Sequence, residues 1–338
     1  MKERHIFVIS FYWNLCSRFP MKLLNYFSAL IVFLSTQVAC GQTWTDPATA
    51  AKEDPDFLIQ GEYGVAEPGQ EWAVQVVALG NGQFDAYLLE GGFPGLGYTR
   101  EKQKIKMSGT AESLASEDGK TKAQIGEGEI EVVKDGDALG TFKKVERKSQ
   151  TLGMPAPEEA LVLFDGSNAD EWENGKVVDG LLPNNDPKTK RKFGDYFLHL
   201  EFRTPYKPEA RGQARGNSGV YHQHRYETQV LDAFGLEGAD NETGGIYKVA
   251  KPIVNMCLPP LTWQTYDIDL VAAKYDDNGK KTENARITVK LNGVVIHDNV
   301  EIPGPTGGGK PETPKPGPIY LQSHGNPVFY KNIWIIEK

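Results

Sequence analysis

The chain has 338 residues, a formal charge of −8, and 39% hydrophobic and 10% aromatic residues. That length accommodates two globular domains with real cores, and an acidic balance with no basic stripe excludes a nucleic-acid surface. Three cysteines, Cys16, Cys40 and Cys257, cannot build a disulfide framework or a cysteine-based zinc site.

The first expected element is a targeting segment over residues 1–40. Met21-Lys22 gives a short basic start, Leu23 to Val38 a largely apolar run, and Val38-Ala39-Cys40-Gly41 a small-residue cleavage site. This resembles a bacterial lipoprotein signal in which Cys40 becomes the lipidated first residue, with Gln37 departing from the usual Leu. Residues 1–20 read as an over-long start, with Met21 as initiator. Ordinary secretion with cleavage near Ala39 is the alternative. The run is too short and too clearly bounded to be a spanning helix. Either way the protein is expected outside the cytoplasm, in the cell envelope as a periplasmic or outer-membrane lipoprotein, held to the membrane through Cys40.

Residues 41–56 are polar, with Pro and Asp, and read as a tether. Residues 57–148 alternate apolar runs with glycine turns. Trp72 to Leu79 and Phe84 to Leu89 flank Gly80-Asn81-Gly82, a strong hairpin signal. Further short strands are expected near 105–107, 123–125, 130–133 and 141–145, making a small β domain. It holds no catalytic constellation, since no histidine occurs between Cys40 and Gly194. The glycine-rich run Gly91 to Gly97 opens no helix, so it reads as a flexible turn rather than a phosphate loop.

Residues 149–159, with Pro155 and Pro157, read as a linker to a second domain over 160–338. Strand signals recur there from Leu161-Val162-Leu163-Phe164 to Ile333-Trp334-Ile335-Ile336, and no amphipathic helix of useful length is visible. Many short alternating strands punctuated by turns predict an all-β sandwich or jelly roll. The Pro/Gly segment 303–318 is long enough to border a site.

Four segments of this domain alternate apolar with hydrogen-bonding residues. Successive side chains in a strand point to opposite faces. With Leu198, Leu200, Phe202, Val220, Thr228, Val230, Ile319 and Leu321 inward, the other face carries Glu201, Arg203, Asn217, Tyr221, Glu227, Gln229, Gln322 and His324. Antiparallel sheets commonly have a solvated side, but such a side is usually Lys, Glu, Thr and Ser. Carboxamides, phenol, guanidinium and imidazole suit a sugar-binding sheet better. Asp232 lies in the same stretch but out of phase with Glu227. His222 and His224, two apart, could share a face, and with His199, Glu201, Glu227 and His324 they supply ligand types for a divalent metal ion. Their position at a turn between strands is equally that of ordinary surface histidines.

The words Leu163-Phe164-Asp165-Gly166, Glu201-Phe202-Arg203, Gly216 to Tyr221, Tyr226-Glu227-Thr228-Gln229, Gly244-Gly245-Ile246-Tyr247, Trp263 to Asp267 and Leu321 to Gly325 occur in that order. Together they resemble the 3-keto-disaccharide hydrolase family, over roughly residues 158–338. Lys331 stands where that family commonly has Arg, which puts in doubt a bidentate carboxylate contact there. The resemblance implies a concanavalin/laminarinase-like sandwich acting on an oxidised oligosaccharide or glycoside with a ketone at C3. A C3 ketone acidifies the hydrogen on C2. A base can remove it, and the enolate can expel the C1 substituent. Glu227 and His324 are the candidates for base and acid, in either order. Arg203, Asn217, Tyr221, Gln229 and Gln322 would hold hydroxyls or the enolate, with Glu201 and Asp232 as further binding residues. Two other readings compete: a non-catalytic carbohydrate-binding lipoprotein, and a glycosidase using Glu201 and Glu227 as paired carboxylates.

Overall fold

The computed structural model describes residues 41–338. The expected targeting segment, including Met21 and the lipid attachment at Cys40, lies outside the described residues. Among those described, the only helices are Pro47–Glu53, Pro55–Ile59 and a single 3-10 turn, Gly212–Ala214. The fold is all-β, as the alternation predicts.

Eight antiparallel strands, from Gly61–Tyr63 to Asp137–Val145, follow chain order around a closed barrel. Closure comes from Gly61–Tyr63, which pairs with both Trp72–Gly80 and Asp137–Val145. Val74, Val76, Ala78, Phe84, Ala86 and Leu88 alternate inward and fill the interior with Tyr63 and Met107. Their neighbours Val77, Tyr87 and Leu89 point out of the barrel, yet they are buried as well, against Leu231, Ala233, Phe234 and Cys257 of the second domain. This double burial explains why 72–79 reads as a nearly unbroken apolar run. Gly91 to Gly97 is packed rather than loose: Phe93 is fully buried beneath the Arg147 guanidinium, which also donates to the Pro94 carbonyl.

The second domain is a two-sheet sandwich. One sheet runs Trp172–Glu173, Lys188–Thr189, Tyr320–Leu321, Ser218–His222, Tyr226–Val230. The other runs Leu182–Pro183, Phe329–Glu337, Tyr196–Arg203, Gln264–Val271, Ala285–Leu291, Val294–Ile302, with Leu161–Phe164 added against Phe329–Glu337. Val220, Tyr226, Val230 and Leu321 of the first meet Leu198, Leu200, Phe202, Ile268 and Leu270 of the second in one core. Truncating any of these fully buried leucines would cost about 2–5 kcal/mol.

Two connecting segments differ from expectation. Residues 41–56 are folded onto the body. Trp44 and Tyr206 exchange backbone hydrogen bonds of 3.0 Å in each direction, and their rings lie 5.3 Å apart. Asp46 caps the first helix and Asp54 the second, each followed by a proline at the first helical position, and Ala50 is fully buried. An Asp-Pro pair at each helix start is a recognisable signal; the polarity of the stretch masks it. Residues 149–159 likewise dock on a sheet. Thr151 Oγ1 donates to Asp267 (2.8 Å), Gly153 N to Glu201 (2.6 Å), and the Met154 carbonyl accepts from Asn332 (3.0 Å).

Candidate active site

The strands Ser218–His222 and Tyr226–Val230 form a hairpin in which Tyr221 faces Glu227 and Gly219 faces Gln229. The three-residue connection 223–225 places Gln223 and His224 at φ 53° and 56°, and Arg225 N closes the turn on the His222 carbonyl at 2.9 Å. This register puts Val220, His222, Thr228 and Val230 toward the core. It leaves Asn217, Gly219, Tyr221, Glu227 and Gln229 on the opposite side, joined by Gln322, which follows Tyr320–Leu321 on the neighbouring strand.

That opposite side is not a solvated surface. Asn217, Tyr221, Glu227 and Gln229 are all buried, because three other segments rise over them. Gln213 comes from the 3-10 turn. Tyr247 ends the word Gly244 to Tyr247, which runs beside Tyr226–Val230 through Gly244 N to Gln229 O and Tyr247 N to Glu227 O. Gly307 and Gly308 come from the 303–318 loop. That loop is stapled to the hairpin: Thr306 accepts from Glu227 N (2.9 Å) and Arg225 donates to Thr313 (2.7 Å). The cavity so enclosed measures about 310 Å³ and is lined by these residues with Gln322 and His324, within the size range of small-molecule sites.

Close approach sets the glycines. A Cβ on Gly219 would lie 2.2 Å from the Glu227 carboxylate, and one on Gly308, itself at φ 78°, would lie 2.9 Å from the Tyr221 hydroxyl. The Tyr221 hydroxyl is 2.8 Å from Glu227 Oε2 and 2.6 Å from the Gly307 carbonyl. Burial pushes the Glu227 carboxyl up to about 7, opposed by the Tyr221 hydrogen bond. None of the described residues lining the cavity is a lysine or arginine. Burial, reinforced by the Glu227 charge, keeps the Tyr221 phenol protonated.

Asn217, Tyr221, Glu227, Gln229, Gln322 and His324 are therefore brought together as expected, with His324 exposed at the mouth. Glu201, Arg203 and Asp232 are not. Glu201 and Arg203 lie on Tyr196–Arg203, in the other sheet, facing away from the shared core. Glu201 accepts from Asn332 (2.9 Å) and Gly153 N, with the Lys331 ammonium at 3.4 Å. Arg203 lies over the Trp263 ring and donates to the Thr45 carbonyl. Alternation gives the parity of each strand correctly, but a sandwich has two outer faces, so equal parity does not mean a shared face. Asp232 follows the strand's end and pairs with Arg215 at 2.7 Å.

The His222 and His224 side chains also separate. His222 points inward, between Tyr196 (2.8 Å) and Thr228 (2.9 Å), and burial lowers it to about 3, while His224 stacks on Tyr320 at 4.3 Å. Among the described residues no three His, Cys, Asp or Glu side chains are grouped to hold a metal ion. Sequence reasoning missed Gln213, Tyr247, Gly307 and Gly308 as lining residues. Tyr247 and the Pro/Gly loop had visible signals; Gln213 had none.

The family model of the 3-keto-alpha-glucoside-1,2-lyase-like domain matches residues 159–336, more than half of the chain. The chain belongs to that family. The family domain thus coincides with the sandwich and contains every residue of the cavity. A proposed glycosyl hydrolase of Parabacteroides distasonis is similar at 38% identity, with a TM-score of 0.51, over 54% of this chain and 86% of its own. Two further proposed glycosyl hydrolases of that organism are similar at 19% and 23% identity, with TM-scores of 0.40 and 0.39. Each covers 54% of this chain, against 94% and 100% of its own. A search of curated proteins finds no match.

Proposed function

We propose that this protein cleaves glycosides that carry a ketone at C3, by removing the C2 proton and releasing the C1 substituent. The family and the 38% identical neighbour support a glycoside-processing enzyme. The observation that carries the chemistry is the single buried carboxyl on the cavity floor, Glu227, held by Tyr221 with no cation beside it. A paired-carboxylate glycosidase needs two such groups flanking one bond. Glu201, the only other candidate for that role, faces the far side of the other sheet.

The hydrogen bonds also order the roles. Tyr221 has one proton and two acceptors within 2.8 Å, Glu227 Oε2 and the Gly307 carbonyl. Both contacts are satisfied when Glu227 is protonated, donating to the phenol oxygen while the phenol donates to Gly307. A carboxyl pushed up to about 7 keeps a large protonated fraction at neutral pH and can deliver that proton to the leaving oxygen at C1. His324, at the mouth, then takes the C2 proton. The electron pair of the C2–H bond forms the enolate, which expels the C1 oxygen to leave a C1–C2 double bond. Water added to that bond gives net hydrolysis. The signal-like residues 21–40 support placing this reaction in the cell envelope.

Release of the leaving group from a 3-keto-α-glucoside, measured beside its unoxidised parent, tests the reading. Cleavage of the keto compound alone is expected. Cleavage of both would return the conventional glycosidase, and binding without cleavage the carbohydrate-binding module.

A further inference from the structure

Three carboxamides meet on one side of the cavity. Gln213 Nε2 donates to the Asn241 backbone carbonyl at 2.8 Å. Its Oε1 accepts from Asn217 Nδ2 at 2.9 Å and from Gln229 Nε2 at 3.2 Å. Gln229 Nε2 also donates to Asn217 Oδ1 at 3.1 Å. A carboxamide can in principle face either way, but here the direction is fixed from outside. A backbone carbonyl can only accept, so Gln213 must turn its amide nitrogen to Asn241 and its oxygen to the other two. Asn217 and Gln229 must then answer with their nitrogens. Both amide protons of Gln229 are engaged, and its Oε1, in a side chain 1% exposed, is left with no donor at all. Buried polar atoms are ordinarily paired.

We propose that Gln229 Oε1 is a hydroxyl-reading acceptor for the sugar, and that Gln213 is the positioning residue that fixes its polarity. This rests on the glycoside reading of the cavity and deepens it. Only a donor satisfies the vacant oxygen. A ring hydroxyl therefore belongs there, and the C3 ketone oxygen, an acceptor, must sit elsewhere. The site thus recognises an unoxidised hydroxyl of the same sugar that carries the C3 ketone.

The test is calorimetric binding of methyl α-D-glucoside and methyl 3-keto-α-D-glucoside, each with its 2-, 4- and 6-deoxy forms, together with cleavage rates of the keto series. Wild-type protein should bind one deoxy form about 10–100-fold more weakly than its parent, the effect of a buried acceptor left unpaired. In Gln229→Met and Gln213→Met that ratio should fall toward one, because the acceptor is lost or its amide is free to turn. A Gln213→Met protein that binds every sugar more weakly but preserves the ratio would reduce Gln213 to a structural role and overturn the proposal. Cleavage of keto glycosides with no hydroxyl discrimination by the wild type would overturn it too, leaving the proposed function standing. Failure to bind or cleave any of these sugars would overturn both.

Discussion

The Glu227 carboxylate lies across Gly219, so close that a methyl group on Gly219 would come within 2.2 Å of Oε1. The glycine is what lets a glutamate on one strand lie flat over its neighbour and reach Tyr221. Gly219→Ala should push the carboxylate off the cavity floor. Because displacements near 1 Å can cost about a hundredfold in rate, turnover of a 3-keto-glucoside should fall by about 10–100-fold, while circular dichroism and the melting temperature change little. Unchanged kinetics would remove Glu227 from the chemistry.

Glu227 should also set a pH limit. Its folded value is raised, to about 7 from 4.5, so the folded state holds the proton more tightly than the unfolded one. Stability is therefore highest below the unfolded value and declines as pH rises through about 7. The difference corresponds to up to about 3 kcal/mol. Glu227→Gln should lower turnover by about a hundredfold or more and raise the melting temperature at pH 8, where the wild type buries an uncompensated charge. At pH 4 the two proteins should melt alike. Wild-type turnover should decline above about pH 7 as the acid loses its proton.

Much of this was legible in the sequence, and the reason is the two-residue period. Asn217, Tyr221, Glu227, Gln229 and Gln322 share a face because their strands keep phase with Val220, Thr228, Val230 and Leu321, which the core holds inward. What the period does not encode is which sheet a strand joins. Glu201 and Arg203 have the right parity in the wrong sheet. Nor does local pattern show how far a loop folds over a face: the length of residues 303–318 marks a segment able to border a site, not one that buries Glu227. Gln213, on a single 3-10 turn, enters only through the path of the chain in space.

Glu201 offers the matching control. It too is a buried glutamate, yet it is lowered to about 2: burial alone would raise it, and the His199 imidazole at 3.8 Å, hydrogen bonds from Asn332 and Gly153 N, and the Lys331 charge outweigh that. The same residue type is driven in opposite directions by its partners. A lowered carboxyl contributes stability above its unfolded value and loses it as pH falls toward 2. Glu201→Gln should leave turnover of a keto glycoside within about twofold of wild type, and lower stability by about 3 kcal/mol at pH 7. A loss of turnover like that of Glu227→Gln would restore Glu201 to the site.

The segment before the barrel should behave as part of the fold. Trp44 is 8% exposed, donates its indole N–H to Glu53 at 2.9 Å, and pairs edge to edge with Tyr206, just beyond the strand Tyr196–Arg203. Tyr206 in turn donates to Asp54 at 3.0 Å and stacks edge-on against Phe57 at 5.0 Å. These contacts tie residues 44–57 to the second domain. Trp44→Ala should therefore destabilise the whole unit by about 3–5 kcal/mol, measured as a shift of a single urea-unfolding transition. A true tether would unfold at an unchanged midpoint after the same substitution. Proteolysis offers an independent readout: cleavage between residues 44 and 57 should be slow in the wild type and fast in Trp44→Ala, since the helices lose the ring that holds them down.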